Sequence, residues 1–388
     1  MGEWIGRGRK ARRTYGLDDI ALVPGLCTIE PEDVDSTWEI GGHRFALPIL
    51  AAGMDGVVDV PFAIALGRAG GMGILNLEGV QTRYENPAEV LAELATLPTE
   101  AITQKLQQVY SAPIREELVG RRIEEIRAAG VAPVVSSIPQ RAVRFGAIAQ
   151  EAGAAIFVVQ ATVTSARHEA KAYTPLDIKS FIAAMKIPVI LGNTVTTEAC
   201  LELMDCGPAG ILVGIGPGEA CTTRGVLGLG VPQVTATVDC SYARDFHYKK
   251  TGKYIPIITD GGMSKGGDIC KAFACGADAV VVGSAFAKAA EAPGKGYHWG
   301  MATPHQNLPR GTRVHVGTTG TLDEILFGPA RMDDGSQNLV GALRTCMGAV
   351  GAHNIREMQL VEIILAPSIK NEGKLYQRTQ RVGMGKSG

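Results

Sequence analysis

The chain has 388 residues, of which 46% are apolar, and a formal net charge of −1. That length suits one large α/β barrel with insertions or two ordinary domains, and the apolar share can fill an extended core. Near-neutral charge without a basic stripe argues against nucleic acid or an anionic membrane as a main partner, and no run approaches the length of a membrane-spanning helix.

The basic N-terminus, Met1 to Arg9, is followed by no apolar run and does not read as a secretory signal. None of the eight cysteines forms a Cys-x-x-Cys pair, so the common zinc and thioredoxin patterns are absent. The chain reads as cytoplasmic, with reduced thiols.

Eight short apolar runs recur along the chain, bounded by Gly, Pro or Asn: Leu47–Gly53, Gly71–Asn76, Ala132–Ile138, Ala155–Ala161, Pro188–Asn193, Gly210–Ile215, Pro256–Gly262 and Ala279–Ser284. Most are apolar on both faces, as parallel strands covered by helices are. Helical periodicity predicts helices over Val60–Ala69, Arg115–Ala129, Arg141–Ala152, Leu176–Met185, Thr197–Cys206 and Gly267–Cys275, several of them stopped by glycine. Eight strands alternating with helices read as a (β/α)₈ TIM barrel, 1–388 forming one domain. A doubly wound sheet is the competing reading, though it rarely needs eight evenly spaced strands.

Three connections exceed what a barrel requires. Residues 77–131 form a helical insertion after the second strand, with helices expected at Pro87–Leu97 and Thr99–Tyr110, and are too short for an independent domain. Residues 216–255 hold a glycine-rich cysteine loop, then a stretch rich in charge and aromatics, Tyr242–Lys250. Residues 292–340, after the last strand, read as an extended lid or flap with little periodicity. The basic tail 370–388 reads as flexible. Its Gly383–Gly388 satisfies G-x-G-x-x-G as a string, but it follows no strand and is discarded as a dinucleotide fingerprint.

The chemistry points to strand ends. Gly214-Ile215-Gly216-Pro217-Gly218-Glu219-Ala220-Cys221-Thr222-Thr223-Arg224 follows the sixth strand. Its glycines let the backbone take positive φ and approach a ligand, and its thiol sits where a barrel keeps its chemistry. The alternative is that Cys221 is a small buried hydrophobe. Gly261–Gly267 ends the seventh strand and Gly283-Ser284 the eighth, a pair of loops suited to phosphate. Asp260 can accept hydrogen bonds from sugar hydroxyls, or merely cap a turn. His298, His305 and His315 have no metal-like spacing and read as solvent-exposed loop histidines.

With these motifs in order, the chain resembles the inosine monophosphate (IMP) dehydrogenase / guanosine monophosphate (GMP) reductase family. The resemblance also runs through Tyr15–Pro24, Ala52-Gly53-Met54-Asp55, Gly70-Gly71-Met72-Gly73, Leu191-Gly192-Asn193, Val213–Gln233 and Ile255–Gly294. It implies a barrel in a homotetramer or octamer, a purine nucleoside monophosphate as substrate, NAD as cofactor, and a monovalent cation such as potassium. Cys221 would be the nucleophile attacking C2 of the purine, and Thr223 would position or activate water. Met54 and Met301 would lie against the base, and Asp260 would hold the ribose. Gly262, Gly283 and Ser284 would hold the phosphate, together with Tyr297, or His298 in its place. Asn193, Gly218 and Gly300 fall in matching substrate-binding stretches. Gln160 and Thr162 would meet the cofactor, Gln160 standing where an aspartate is usual. Backbone carbonyls of Gly214, Gly216 and Cys221 would ligate the cation.

The departures separate the activities. Regulatory nucleotide-binding modules, usual after strand two in the dehydrogenases, do not fit in 77–131, and the dehydrogenases' Arg-Tyr pair on the flap is missing from the shortened run Thr303–Gly311. Arg310 stands where the reductase carries a glutamate for handling ammonia, and a guanidinium is no proton acceptor at neutral pH. Ala52 replaces a frequent hydroxyl. The resemblance therefore implies a branch without regulatory modules that oxidises IMP to xanthosine monophosphate with NAD, Arg310 helping to orient water. The alternatives are a GMP reductase using NADPH and a purine-nucleotide-binding regulatory protein without turnover.

Overall fold

Side chains alternate across each apolar run, and this alternation builds two cores at once. In the computed structural model, which describes residues 2–301, 312–369 and 371–386, the eight runs form strands β1 (Ile49–Ala51), β2 (Met72–Asn76), β3 (Val134–Ser137), β4 (Ile156–Gln160), β5 (Val189–Thr194), β6 (Gly210–Val213), β7 (Ile257–Asp260) and β8 (Ala279–Val282). Each pairs in parallel with the next, and β8 pairs with β1 to close the barrel, Val280 facing Ile49. The fold is the expected (β/α)₈ barrel.

Leu50, Ile74, Val134, Ile156, Val158, Ile190, Leu212, Ile258 and Val281 fill the interior. An antiparallel pair, Trp38–Ile40 with His43–Phe45, contributes Trp38 and Ile40 to this inner cluster. The indole N–H of Trp38 donates to the Leu47 carbonyl at 3.0 Å, just ahead of β1. The alternate residues, among them Ile49, Leu75, Val135, Phe157, Leu191, Ile211 and Val280, belong to the outer core with the helices.

The expected helices form close to their predicted bounds: Val60–Arg68, Glu116–Ala128, Pro139–Ala152, Ile178–Ala184, Thr197–Met204 and Gly266–Ala274. The stretch Tyr242–Lys250 turns out to be the second half of a 19-residue helix, Gln233–Thr251, which Gly252 ends at φ +71°. After β8, Tyr297–Trp299 pairs antiparallel with Arg313–His315, and helices Leu322–Phe327 and Leu339–Val350 follow. Ile363–Leu365 then pairs antiparallel with Ile20–Leu22. Leu375–Gln380 forms a short helix within the tail.

The insertion provides helices Pro87–Thr96 and Thr99–Ser111, which pack around Trp299 together with Val80, Leu91, Leu94, Ile102, Leu106 and Val109. Arg313 donates to the carbonyls of Leu94 and Leu97 at 2.6 and 2.7 Å, where the first of these helices ends and its carbonyls lack intrahelical donors. The Tyr110 hydroxyl accepts from the Trp299 indole N–H at 2.7 Å and donates to Asp55 Oδ2 at 2.7 Å. Asp55 also accepts from the backbone N–H of Val80 at 2.7 Å. One phenol thus joins the insertion, the loop after β1 and the strand after β8.

Tyr110→Phe removes that hydroxyl, leaving the buried Trp299 N–H unpaired and Asp55 short of one donor. The expected loss is roughly 1–3 kcal/mol of stability, read as a lower urea midpoint at unchanged slope. An unchanged midpoint would show that the junction does not depend on this hydroxyl.

Candidate active site

Parallel closure puts the C-terminal ends of all eight strands on one rim, and a cavity of about 710 Å³ opens there. Of the residues singled out from sequence, Met54, Gln160, Thr162, Asn193, Gly214, Gly216, Gly218, Cys221, Thr223, Asp260, Gly262, Gly283, Ser284, Gly300 and Met301 all line it. Tyr297 does not: its ring lies 4.4 Å from that of His315 and 4.4 Å from the Arg313 guanidinium. Arg310 and His305 lie outside the described residues.

The cysteine loop is held from both sides. Gly214 has φ +152°, and a Cβ there would come within 2.2 Å of the Asp260 carbonyl oxygen, so only glycine lets β6 end this close to β7. Gln233 donates to the Val213 carbonyl at 2.7 Å, and Arg224 donates to that of Val231 at 3.0 Å. Between these ties Cys221 is exposed on the cavity wall, whereas Cys200, Cys240, Cys270 and Cys275 are buried. Its thiol donates to the Thr223 hydroxyl at 3.2 Å, and Thr223 is itself buried. Cys221 is therefore no core hydrophobe.

Across the cavity, Asp260 is gripped by two amides. Asn193 Nδ2 donates to its Oδ2 at 2.8 Å, and Gln160 Nε2 donates to the same oxygen at 3.0 Å while also donating to Asn193 Oδ1 at 3.0 Å. Gln160, expected against the nicotinamide, is thus hydrogen-bonded within the carboxylate cluster while still lining the cavity. Burial pushes the Asp260 carboxyl up to about 6, with the two amides pulling the other way.

His298 corrects the expectation of a solvent-exposed histidine. It is only 1% exposed and lines the cavity, its Nε2 lying 3.1 Å from Ser284 Oγ. Burial lowers its pKa, and the carboxylate of Glu219 pulls in the opposite direction. Nothing in the spacing of the histidines signals this: a chain neighbour, Trp299, is locked under the insertion, and that carries His298 inward. His315 is exposed, as expected.

The reading from sequence missed Glu78. Its Oε1 accepts from the Ile138 backbone N–H at 2.8 Å and from Ser137 Oγ at 3.1 Å, joining the loops after β2 and β3. Arg83 and Gln140 also line this part of the cavity. The position of Glu78, two residues past the end of β2, was the available signal. Among the described residues no group of three or more His, Cys, Asp or Glu side chains is placed to hold a metal ion, and no helix is long and apolar enough to cross a membrane.

Comparison with known proteins agrees with this geometry. A family model described as "IMP dehydrogenase / GMP reductase domain" matches residues 14–374. An uncharacterized oxidoreductase of Mycolicibacterium smegmatis is 39% identical over 367 residues, covering 92% of this chain and 98% of that one. An inosine-5'-monophosphate dehydrogenase of Methanocaldococcus jannaschii is 26% identical, covering 92% of this chain and 94% of that one. The crystal structure of an IMP dehydrogenase/GMP reductase-like protein from Corynebacterium glutamicum superposes with a TM-score of 0.88 at 36% identity, covering 93% of this chain and 97% of that one.

The Asp260 cluster has a pH signature. Above about 6 the carboxylate is ionised and can accept from two sugar hydroxyls, and below it the group is protonated and loses that capacity. Affinity for a ribonucleoside should fall as pH drops through about 6, and Asp260→Asn should weaken binding and abolish that acid limb. A nucleoside without phosphate, titrated by calorimetry, keeps ligand ionisation out of the measurement. An acid limb retained in the variant would place the titrating group elsewhere.

Proposed function

The chain belongs to the IMP dehydrogenase / GMP reductase family, and on that premise we propose that this oxidoreductase oxidises inosine monophosphate to xanthosine monophosphate with NAD as hydride acceptor. The observation that carries the reading is Cys221: an exposed thiol on the cavity wall, 3.2 Å from the Thr223 hydroxyl, facing a rim that also holds Asp260 and Ser284.

In this reading Asp260, steadied by Asn193 and Gln160, accepts the ribose hydroxyls. Gly262, Gly283 and Ser284 receive the phosphate, with His298 rather than Tyr297 behind them. Met54 and Met301 lie against the base, and Gly218 and Gly300 leave room for the nucleotide. The Cys221 sulfur adds to C2 of the purine. When C2 gives up its hydride, the base stays bound to sulfur as a thioimidate, which water then hydrolyses to free the thiol. Thr223 orients that water, with Arg310 of the lid as its partner.

The residues present fit a nicotinamide cofactor. Beyond Cys221 the cavity continues past Thr162, Ser137 and Gln140, which offer polar groups for its carboxamide and sugars. When bound, it supplies the hydride acceptor. A monovalent cation would be held by backbone carbonyls of Gly214, Gly216 and Cys221. Positive φ at Gly214 and Gly216 gives the loop the freedom to present them. Assembly as a homotetramer or octamer in the cytoplasm completes the proposal.

A second reading, the NADPH-driven reduction of guanosine monophosphate, is favoured by one observation, the missing Arg-Tyr pair on the lid. Arg310 weighs against it, because the deamination asks for a carboxylate where this chain carries a guanidinium.

Absorbance at the reduced-nicotinamide band separates the two. With potassium present, inosine monophosphate and NAD⁺ should give a rise, and guanosine monophosphate and NADPH should give no fall. The reverse pattern would establish the reductase, and silence in both with nucleotide bound would leave a binding protein without turnover. Cys221→Ser should cut turnover on the order of 10³-fold or more while sparing nucleotide affinity. Full turnover in that variant would sink both enzyme readings.

A further inference from the structure

The phosphate end of the cavity poses an electrostatic problem. A nucleoside monophosphate arrives close to fully dianionic at neutral pH and above, since the second pKa of a phosphate monoester is about 6. Glu219, on the cysteine loop, places a carboxylate among the residues lining this cavity. Arg83 is the fixed cation among the described lining residues, and it is held by the carbonyls of Glu78 and Ala112, beside the Tyr110 ring. Among the described residues, glycine backbone, the Ser284 hydroxyl and whatever charge the site can acquire are what remain to meet the phosphate.

We propose that binding of the nucleotide's phosphate dianion at Ser284 draws one proton from solvent onto the buried imidazole of His298. The inference rests on the nucleotide reading above. The geometry that carries it is the 3.1 Å contact between Ser284 Oγ and His298 Nε2. If Ser284 is to donate its hydroxyl hydrogen to a phosphate oxygen, its Oγ must accept from behind, so Nε2 must carry a proton. The second nitrogen, Nδ1, is buried and has no hydrogen-bond partner among the described residues. It is the vacant position for the additional proton, and a buried nitrogen in that condition calls for a functional account. The Nε2–H orients Ser284 in either charge state, and the added proton at Nδ1 places a positive charge one hydrogen bond behind the phosphate.

The surroundings of His298 let it gain this proton only when the dianion arrives. Burial lowers the pKa of the imidazole in the free protein and so favours its neutral form. Glu219 is the charged side chain that acts on it. On the loop after β1, Asp55 is engaged by Tyr110 and Val80, and Asp59 caps the helix Val60–Arg68 through Phe62. On the paired strand, Arg313 and His315 lie against Tyr297. Of the nearby lysines, Lys288 acts on Asp334, and Lys295 donates to the Ala290 carbonyl. The sign follows: the bound-state pKa lies above the free-state pKa, so affinity falls as pH rises between the two, by up to about tenfold per pH unit. His298 is thus a positioning residue for Ser284 rather than a catalytic one.

Calorimetric titration of inosine monophosphate into the protein, in two buffers of different ionisation enthalpy, counts the protons. Near pH 8, about two units above the phosphate's second pKa of ~6, the phosphate itself takes up almost no proton, and a net uptake should still be measured. His298→Gln, which keeps a donor near Ser284, should bind with uptake close to zero and an affinity independent of pH across this range. Inosine, which lacks the phosphate, should bind without uptake to either protein. Binding of inosine monophosphate with no buffer dependence would overturn the inference without a variant being needed. Uptake that persists in His298→Gln, or is lost only in Glu219→Gln, would overturn the assignment to His298. No binding of inosine monophosphate at any pH, with inosine bound normally, would instead remove the nucleotide reading and this inference with it.

Discussion

The pairing of β8 with β1 is the constraint on which the rest of the molecule depends. Once Val280 and Ile49 share a ladder, every strand has two neighbours and no edge is left open. Parallel closure then gives all eight strands a common top, and residues far apart in sequence become neighbours on one rim. Asn193 and Asp260 are 67 residues apart and share a hydrogen bond. Gln160 and Asp260, 100 apart, share another. No local feature of the chain could assemble that cluster; it is a consequence of register.

The opposite end is treated differently. There Trp38 and Ile40 join the inner apolar cluster, and the indole N–H of Trp38 finds its acceptor at Leu47. The rim, by contrast, carries a half-buried carboxyl, a histidine nitrogen without a partner among the described residues, and glycines at positive φ. The insertion 77–131 works between the two regimes. Its helices shield Trp299, and Tyr110 and Arg313 fix the strands on either side of 302–311 relative to the barrel. Met301, a cavity residue, has its sulfur 3.4 Å from the same Tyr110 hydroxyl. The insertion's helices thus support the site, while Glu78 and Arg83 at its start line the cavity.

Much of this was legible in the sequence because parallel strands buried on both faces leave uninterrupted apolar runs, and helices that stop at glycine announce their ends. The eight strands and their flanking helices follow from that alone. The helix Gln233–Thr251 was harder to read because its buried face is only partly apolar. Thr237 bonds Thr259 at 2.9 Å, Arg244 pairs with Asp278 at 2.9 Å, and His247 is buried too, so the stripe at helical spacing is partly polar. The pair of strands Tyr297–Trp299 and Arg313–His315 has only three residues on each side, too few for alternation to show. In the site, the strand-end residues singled out from sequence line the cavity, whereas the partners of His298 and Gln160, which packing sets, could not be read there. His298 is carried into the cavity by its neighbour Trp299, and Gln160 turns to Asp260 because the β4 and β7 ends converge.

The rim's polar features act against stability in a calculable direction. The ordinary unfolded value of an aspartate is about 3.9, and Asp260 in the fold is pushed up to about 6. Between those values the native state holds more protons than the unfolded chain, so the contribution of this group is complete below the unfolded value and is lost as pH rises through the folded one. At neutral pH the site therefore holds an ionised carboxylate that burial disfavours and two amides only partly compensate. Any hydroxyl that donates to the ionised Asp260 offsets part of that desolvation, which links affinity for such a ligand to the stability of the fold. A barrel with a large apolar interior can carry that load, because the cost falls on side chains at the rim and leaves the strand ladder beneath them untouched.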